Sequence, residues 1–164
     1  MRAILSFLVL SLFLCSCSND DDASDQQRID YNLYTNAALN IPAEDADFFL
    51  VTIAETGDQL VFEYVLDIPS DPDIADSGFR ESILFEIDAS TTTFEVSDED
   101  LLTINPYYRQ SCFCETVESV LIQSGTISGT RSDQNSWQID IDVEIDLGGT
   151  LPLEKQVSGV FRQN

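Results

Sequence analysis

Along residues 137–147 every second position is apolar: Trp137, Ile139, Ile141, Val143, Ile145 and Leu147 alternate with Gln138, Asp140, Asp142, Glu144 and Asp146. A period of two places the first set on one face of an extended strand and the carboxylates on the other, one face in a core and one in water. Wound as a helix, the same residues would scatter around the circumference.

Other segments follow the same logic. Residues 48–54 and 60–68 are apolar and β-branched on either side of Thr56-Gly57-Asp58, a pattern that predicts a hairpin. In the second of these, Val61 and Val65 interleave with Leu60, Phe62, Tyr64 and Leu66, so both faces are apolar and the strand is central. Residues 82–88 and 92–96 predict a further strand pair around Ala89-Ser90-Thr91, and residues 115–123, 125–131 and 156–162 add more strands. Residues 29–47, with Tyr31, Leu33 and Tyr34, predict an edge strand or irregular entry. Ser97 followed by Asp98, Glu99 and Asp100 predicts a short helical turn that Pro106 stops, its acids near the positive end. Short strands at this spacing, with glycine and asparagine between them, predict an all-β fold: a single antiparallel β-sandwich or barrel-like domain.

The beginning of the chain follows a different pattern. Met1 and Arg2 precede an apolar run over residues 3–14, too short to span a bilayer and suited to the core of a secretory signal. It closes on Leu14-Cys15-Ser16-Cys17, which resembles the bacterial lipobox. The resemblance implies cleavage before Cys17, a diacylglycerol on its sulfur and acylation of the new amino terminus. Cys15 does not fit, because Leu14 stands where a small residue is needed. Acyl chains bury methylene groups at about 0.8 kcal/mol each, so such an anchor is effectively permanent. Ser18-Asn19-Asp20-Asp21-Asp22 resembles the acidic export signal of Bacteroidota lipoproteins, which implies the outer membrane and its outer face. The expected organisation is a signal peptide over 1–16, a lipidated cysteine with a flexible acidic tether over 17–28, and the β-domain over 29–164.

Removing 16 of 164 residues leaves 148, enough for one domain with a proper core. Arg2 leaves with them, so 6 of 7 basic residues face 30 acidic ones and the formal charge is −24. That charge repels phosphate backbones and excludes nucleic acid as a partner. Histidine is absent, which removes histidine-activated nucleophiles and the usual zinc sets. Lys155 is the only lysine and no glycine-rich phosphate loop occurs. An enzyme is therefore not expected.

Four weaker candidates remain. Cys112 and Cys114 are the two cysteines outside the signal and the anchor. They suit a local bridge or two quiet thiols, an intermolecular bond, or a redox or metal role, and a Cys-x-Cys bridge closes a small, easily reduced ring. Tyr107, Tyr108 and Arg109 form either a binding platform of aromatics and a cation, with Phe79 nearby, or packing over the end of the fold. Asp71, Asp73 and Asp76 invite calcium, although Ala75 and Asp76 break the EF-hand pattern. Asp140, Asp142, Glu144 and Asp146, about 6.6 to 7 Å apart along one face, fit either acid–base work on a glycosidic bond or a hydrated outer surface. The expected function is binding or structural, as an anchored lipoprotein taking a glycan or an envelope protein as partner. A cation-dependent adhesion module, a hydrolase and a thiol-redox protein are the alternatives.

Overall fold

The computed structural model describes residues 27–71, 73–74, 77–112 and 118–163. The chain forms β1 (Arg28–Asn40), β2 (Thr52–Ile68), β3 (Phe79–Asp88) and β4 (Thr93–Ser97), then a 3-10 helix (Asp98–Ile104). It continues through β5 (Tyr107–Ser111), β6 (Val120–Leu121), β7 (Ser124–Arg131), β8 (Ser136–Ile145) and β9 (Leu153–Gln163). The fold is all-β, as the alternation requires. All nine strands hydrogen-bond into one sheet in the order β4-β7-β8-β9-β1-β2-β3-β5-β6. The sheet is mixed, because β1 and β9 run parallel where Asn32 meets Arg162 and Leu33 meets Gln163. The other seven pairings are antiparallel.

The sheet is rolled without closing. Six strand spacings of about 4.8 Å would hold β4 and β3 about 29 Å apart if it were flat. Instead the Phe94 ring of β4 lies 6.1 Å from Phe85 of β3, and Phe62 of β2 meets Trp137 of β8 edge-on at 5.5 Å. The 3-10 helix touches β3, β4 and β7 and drives Leu101 and Ile104 into the interior. Around these pack Leu60, Phe85, Ile127, Trp137, Ile139, Ile141 and Phe161, all buried on the concave face. Burial of one such side chain contributes about 1.5 to 3 kcal/mol. The alternation in β8 thus has its expected meaning, with Trp137 to Ile145 inside and Asp140, Asp142 and Glu144 out in solvent.

A second, smaller core lies on the convex side. There Val61, Leu84 and Tyr107 meet Ala37, Leu39 and Val51, because the end of the β1–β2 hairpin folds back over the sheet. The fold-back corrects the expected hairpin at Thr56-Gly57-Asp58. Residues 52–68 are one strand whose two parts both pair with β1, and residues 55–58 are looped out between Ala38 opposite Ala54 and Ala37 opposite Gln59. Opposite this loop Asn36 takes a left-handed conformation (φ 55), which asparagine tolerates better than most residues. Gly57 is required by crowding, since a Cβ there would sit 2.3 Å from the Ala37 carbonyl oxygen.

Three further expectations change. β1 is not an edge strand, for it lies between β9 and β2. β3 and β4 follow each other in sequence without pairing; β4 pairs with β7, Val96 opposite Ile127. Of the strand expected over 115–123, only Val120–Leu121 forms β6, and residues 113–117 lie outside the described residues.

Candidate functional site

Two charged residues stand where the alternation places apolar ones. In β3, Glu81 shares its face with Ile83, Phe85 and Ile87; in β9, Lys155 shares its face with Val157 and Phe161. Because the sheet is rolled, these faces look at each other across the interior. Lys155 Nζ donates to Glu81 Oε1 at 2.7 Å, with the glutamate side chain 2% exposed and the lysine 23%. The Tyr108 hydroxyl donates to Glu81 Oε2 at 2.9 Å, so both carboxylate oxygens are engaged. Burial, followed by the charge of Glu81 and the hydrogen bond to it, pushes the Tyr108 phenol well above its ordinary range. Burial, reinforced by Glu81 and Tyr31, pushes Tyr64 up to about 12. The cluster is therefore a fixed ion pair capped by neutral phenols.

Beside it lies a small concavity of about 140 Å³ lined by Tyr108, Gln110, Glu118, Val120, Asp146 and Leu147. It opens at the end of the roll where β8 finishes and β9 begins. On the convex face a second buried acid, Glu63, accepts from Asn32 Nδ2 at 3.2 Å and from the Tyr34 hydroxyl at 2.9 Å. Tyr34 is held at about 12 by burial and by Glu63. Glu86 accepts from the Leu39 amide at 2.7 Å and from Asn105 Nδ2 at 2.9 Å, pinning the folded-back hairpin to β3.

Of the residues singled out from sequence, Tyr108 and Asp146 line the Glu81 cluster and its concavity, and the others fall elsewhere. Tyr107 and Tyr108 are both buried and, as neighbours on β5, point to opposite sides of the sheet. Tyr107 lies against Phe49 at 5.9 Å on the convex face, whereas Tyr108 reaches inward to Glu81. With Arg109 opposite Ser82 in the register, the three form no exposed platform. Cys112 is disulfide-bonded and lines an open groove of about 390 Å³ with Asp67, Phe79 and Arg80. Cys114, Asp76, Cys17 and residues 18–22 lie outside the described residues. Asp71 spends its side chain on the Asp73 amide at 2.8 Å within its own loop. Asp140 accepts from Ser158 Oγ at 2.5 Å and Asp142 from Gln156 Nε2 at 3.3 Å, so each is tied to β9 rather than to another acid. Asp146 has left the strand and caps the Gly148 amide at 2.8 Å.

Among the described residues no group of three acids or cysteines converges as a metal site, and no helix is long and apolar enough to cross a membrane. Compared with protein families, with curated proteins and with solved structures, the chain matches none.

Proposed function

We propose that this chain is a lipid-anchored envelope protein with a binding or structural role, not an enzyme, held by acyl chains on Cys17 at the outer membrane and facing the cell exterior. The apolar run over 3–14 ending in Leu14-Cys15-Ser16-Cys17 carries this reading. Its arrangement of polar groups supports it. The inward Glu81 and Lys155 neutralise each other, and the tyrosines near them stay protonated far above neutrality. Such groups hold a fold together rather than standing poised as base or nucleophile themselves. Partners are then met on exposed surface and loops.

Mass spectrometry of the amino-terminal peptide of the native protein tests the anchor. The expected species begins at Cys17 and carries acyl chains. An unacylated start, or membrane association that survives Cys17→Ala, would overturn it. Capture of a glycan or envelope protein by the mature chain, in an array and a pull-down, tests the binding role. A second reading, cation-dependent adhesion, draws on the exposed Asp140, Asp142 and Glu144 row along β8.

A further inference from the structure

Among the described residues, most of the large apolar side chains left in solvent occur at one end of the rolled sheet. Ile29 (43% exposed), Ile68 (37%), Ile74 (58%), Leu147 (42%) and Leu151 (85%) all belong to that end. It is where β1 begins, β2 ends into the 69–78 loop, and the β8–β9 turn projects. Ile29, Ile68 and Leu147 continue the inward-facing rows of β1, β2 and β8 past the point where the core is filled. Leu147 lines the small mouth concavity, and Leu151 stands beyond it on the turn with Gly148 and Gly149. The opposite end, at the turn 132–135, carries Ser132, Asp133, Gln134 and Asn135.

The chain enters the fold at the apolar end. Arg28 pairs with Asp67 there, and only residues 18–27 separate it from Cys17. Ten residues span at most about 35 Å. A tether of that reach gives the end it enters an effective local concentration on the order of millimolar at the surface carrying the anchor. At such concentrations even a weak apolar contact is populated.

We infer that this end of the roll is a membrane-contacting surface, with Leu147 and Leu151 at the tip of the β8–β9 turn entering the interface of an uncharged or zwitterionic bilayer. The inference rests on the anchored reading proposed above. Asp67, Asp73, Asp146 and Glu154 stand around the same end against Arg28 and Arg80, the Lys155 ammonium being spent inward on Glu81, so an anionic surface is disfavoured. Apolar tips on a polar rim bind an interface through the area they bury in it.

The test supplies the tether artificially, so that it does not depend on native acylation. The chain from residue 17, with Cys17→Ser and an amino-terminal hexahistidine tag, is captured on phosphatidylcholine vesicles holding a nickel-chelating lipid; the chain itself has no histidine to compete. Leu151→Trp and, at the far end, Gln134→Trp are compared in vesicles with brominated acyl chains. Trp137 is fully buried and gives both variants the same background. The expected result is loss of emission from L151W that Q134W does not share. Equal quenching of the two, or none in either while the protein is vesicle-bound, would overturn the inference. Should L151W fail to fold by circular dichroism, Leu147→Trp takes its place with the same two outcomes. A native protein without acyl chains would refute the proposed anchor and leave this comparison standing.

Discussion

The Tyr31 ring lies across Gly159, so close that a Cβ on the glycine would meet ring carbon Cε1 at 2.4 Å. The contact spans the seam between β1 and β9, where only two residue pairs are in register. From the same ring the hydroxyl donates to the Ser158 carbonyl at 3.3 Å, and the ring packs edge-on against Phe161 at 5.2 Å. Side chains thus hold a boundary that backbone bonds leave thin.

Gly159→Ala should therefore destabilise the protein by about 1 to 3 kcal/mol through overpacking, despite the smaller chain entropy of alanine. In a Tyr31→Ala background the methyl has room and the same change should be close to neutral. Urea denaturation of the four proteins measures the coupling. Additive losses would show that the ring does not depend on the missing side chain.

Lys155→Met removes the cation paired with Glu81 and leaves a buried charge uncompensated, which costs about 3 to 5 kcal/mol in such sites, less here because the lysine reaches partly into water. Glu81→Gln keeps an acceptor for Tyr108 and lets the ammonium turn outward. Its loss should be smaller, about 1 kcal/mol, as for a typical hydrogen bond. Comparing urea midpoints checks the order; a larger loss for Glu81→Gln would contradict the buried pair.

Alkali should act through the tyrosines. Tyr34 and Tyr64 are raised to about 12 from 10.0, so the unfolded chain releases those protons first. Their contribution is complete below pH 10 and is lost as pH rises toward 12. Phenolate absorbance and circular dichroism followed over that window should show delayed ionisation that catches up on unfolding. Ionisation near pH 10 with the fold intact would refute the burial of these groups.

Calcium should raise the melting temperature no more than sodium chloride at matched ionic strength. Asp140 and Asp142 of β8 are each held by a β9 neighbour, and relief of a formal charge of −23 is a screening effect. A calcium-specific rise would show a true site through ligand linkage and favour the adhesion reading.

How far the sequence announced this arrangement depends on what a pattern encodes. Alternation records strand and face, so β8 and the two-sided apolar character of β2 could be read directly. It does not record partners. β4 pairs across 37 positions, Thr93 with Thr130, and its neighbour in sequence offers no competing signal. The loop at 55–58 resembles a hairpin turn because it has the same composition, and only the pairing of both its flanks with β1 shows otherwise. The inward pair had a legible trace. A lone lysine and a glutamate each break an apolar row, but which charges meet depends on how tightly the sheet rolls. Adjacent tyrosines in a strand cannot share a face, and that rule alone separates Tyr107 from Tyr108.

The parallel contact between β1 and β9 has a consequence for the order in which the molecule can be made. Of the nine described strands β1 is made before the others, yet it gains its second neighbour only once β9 exists, so a chain lacking β9 carries a bare flank on β1. That postponement keeps the sheet divided for as long as β9 is missing, whatever the strands between have already formed.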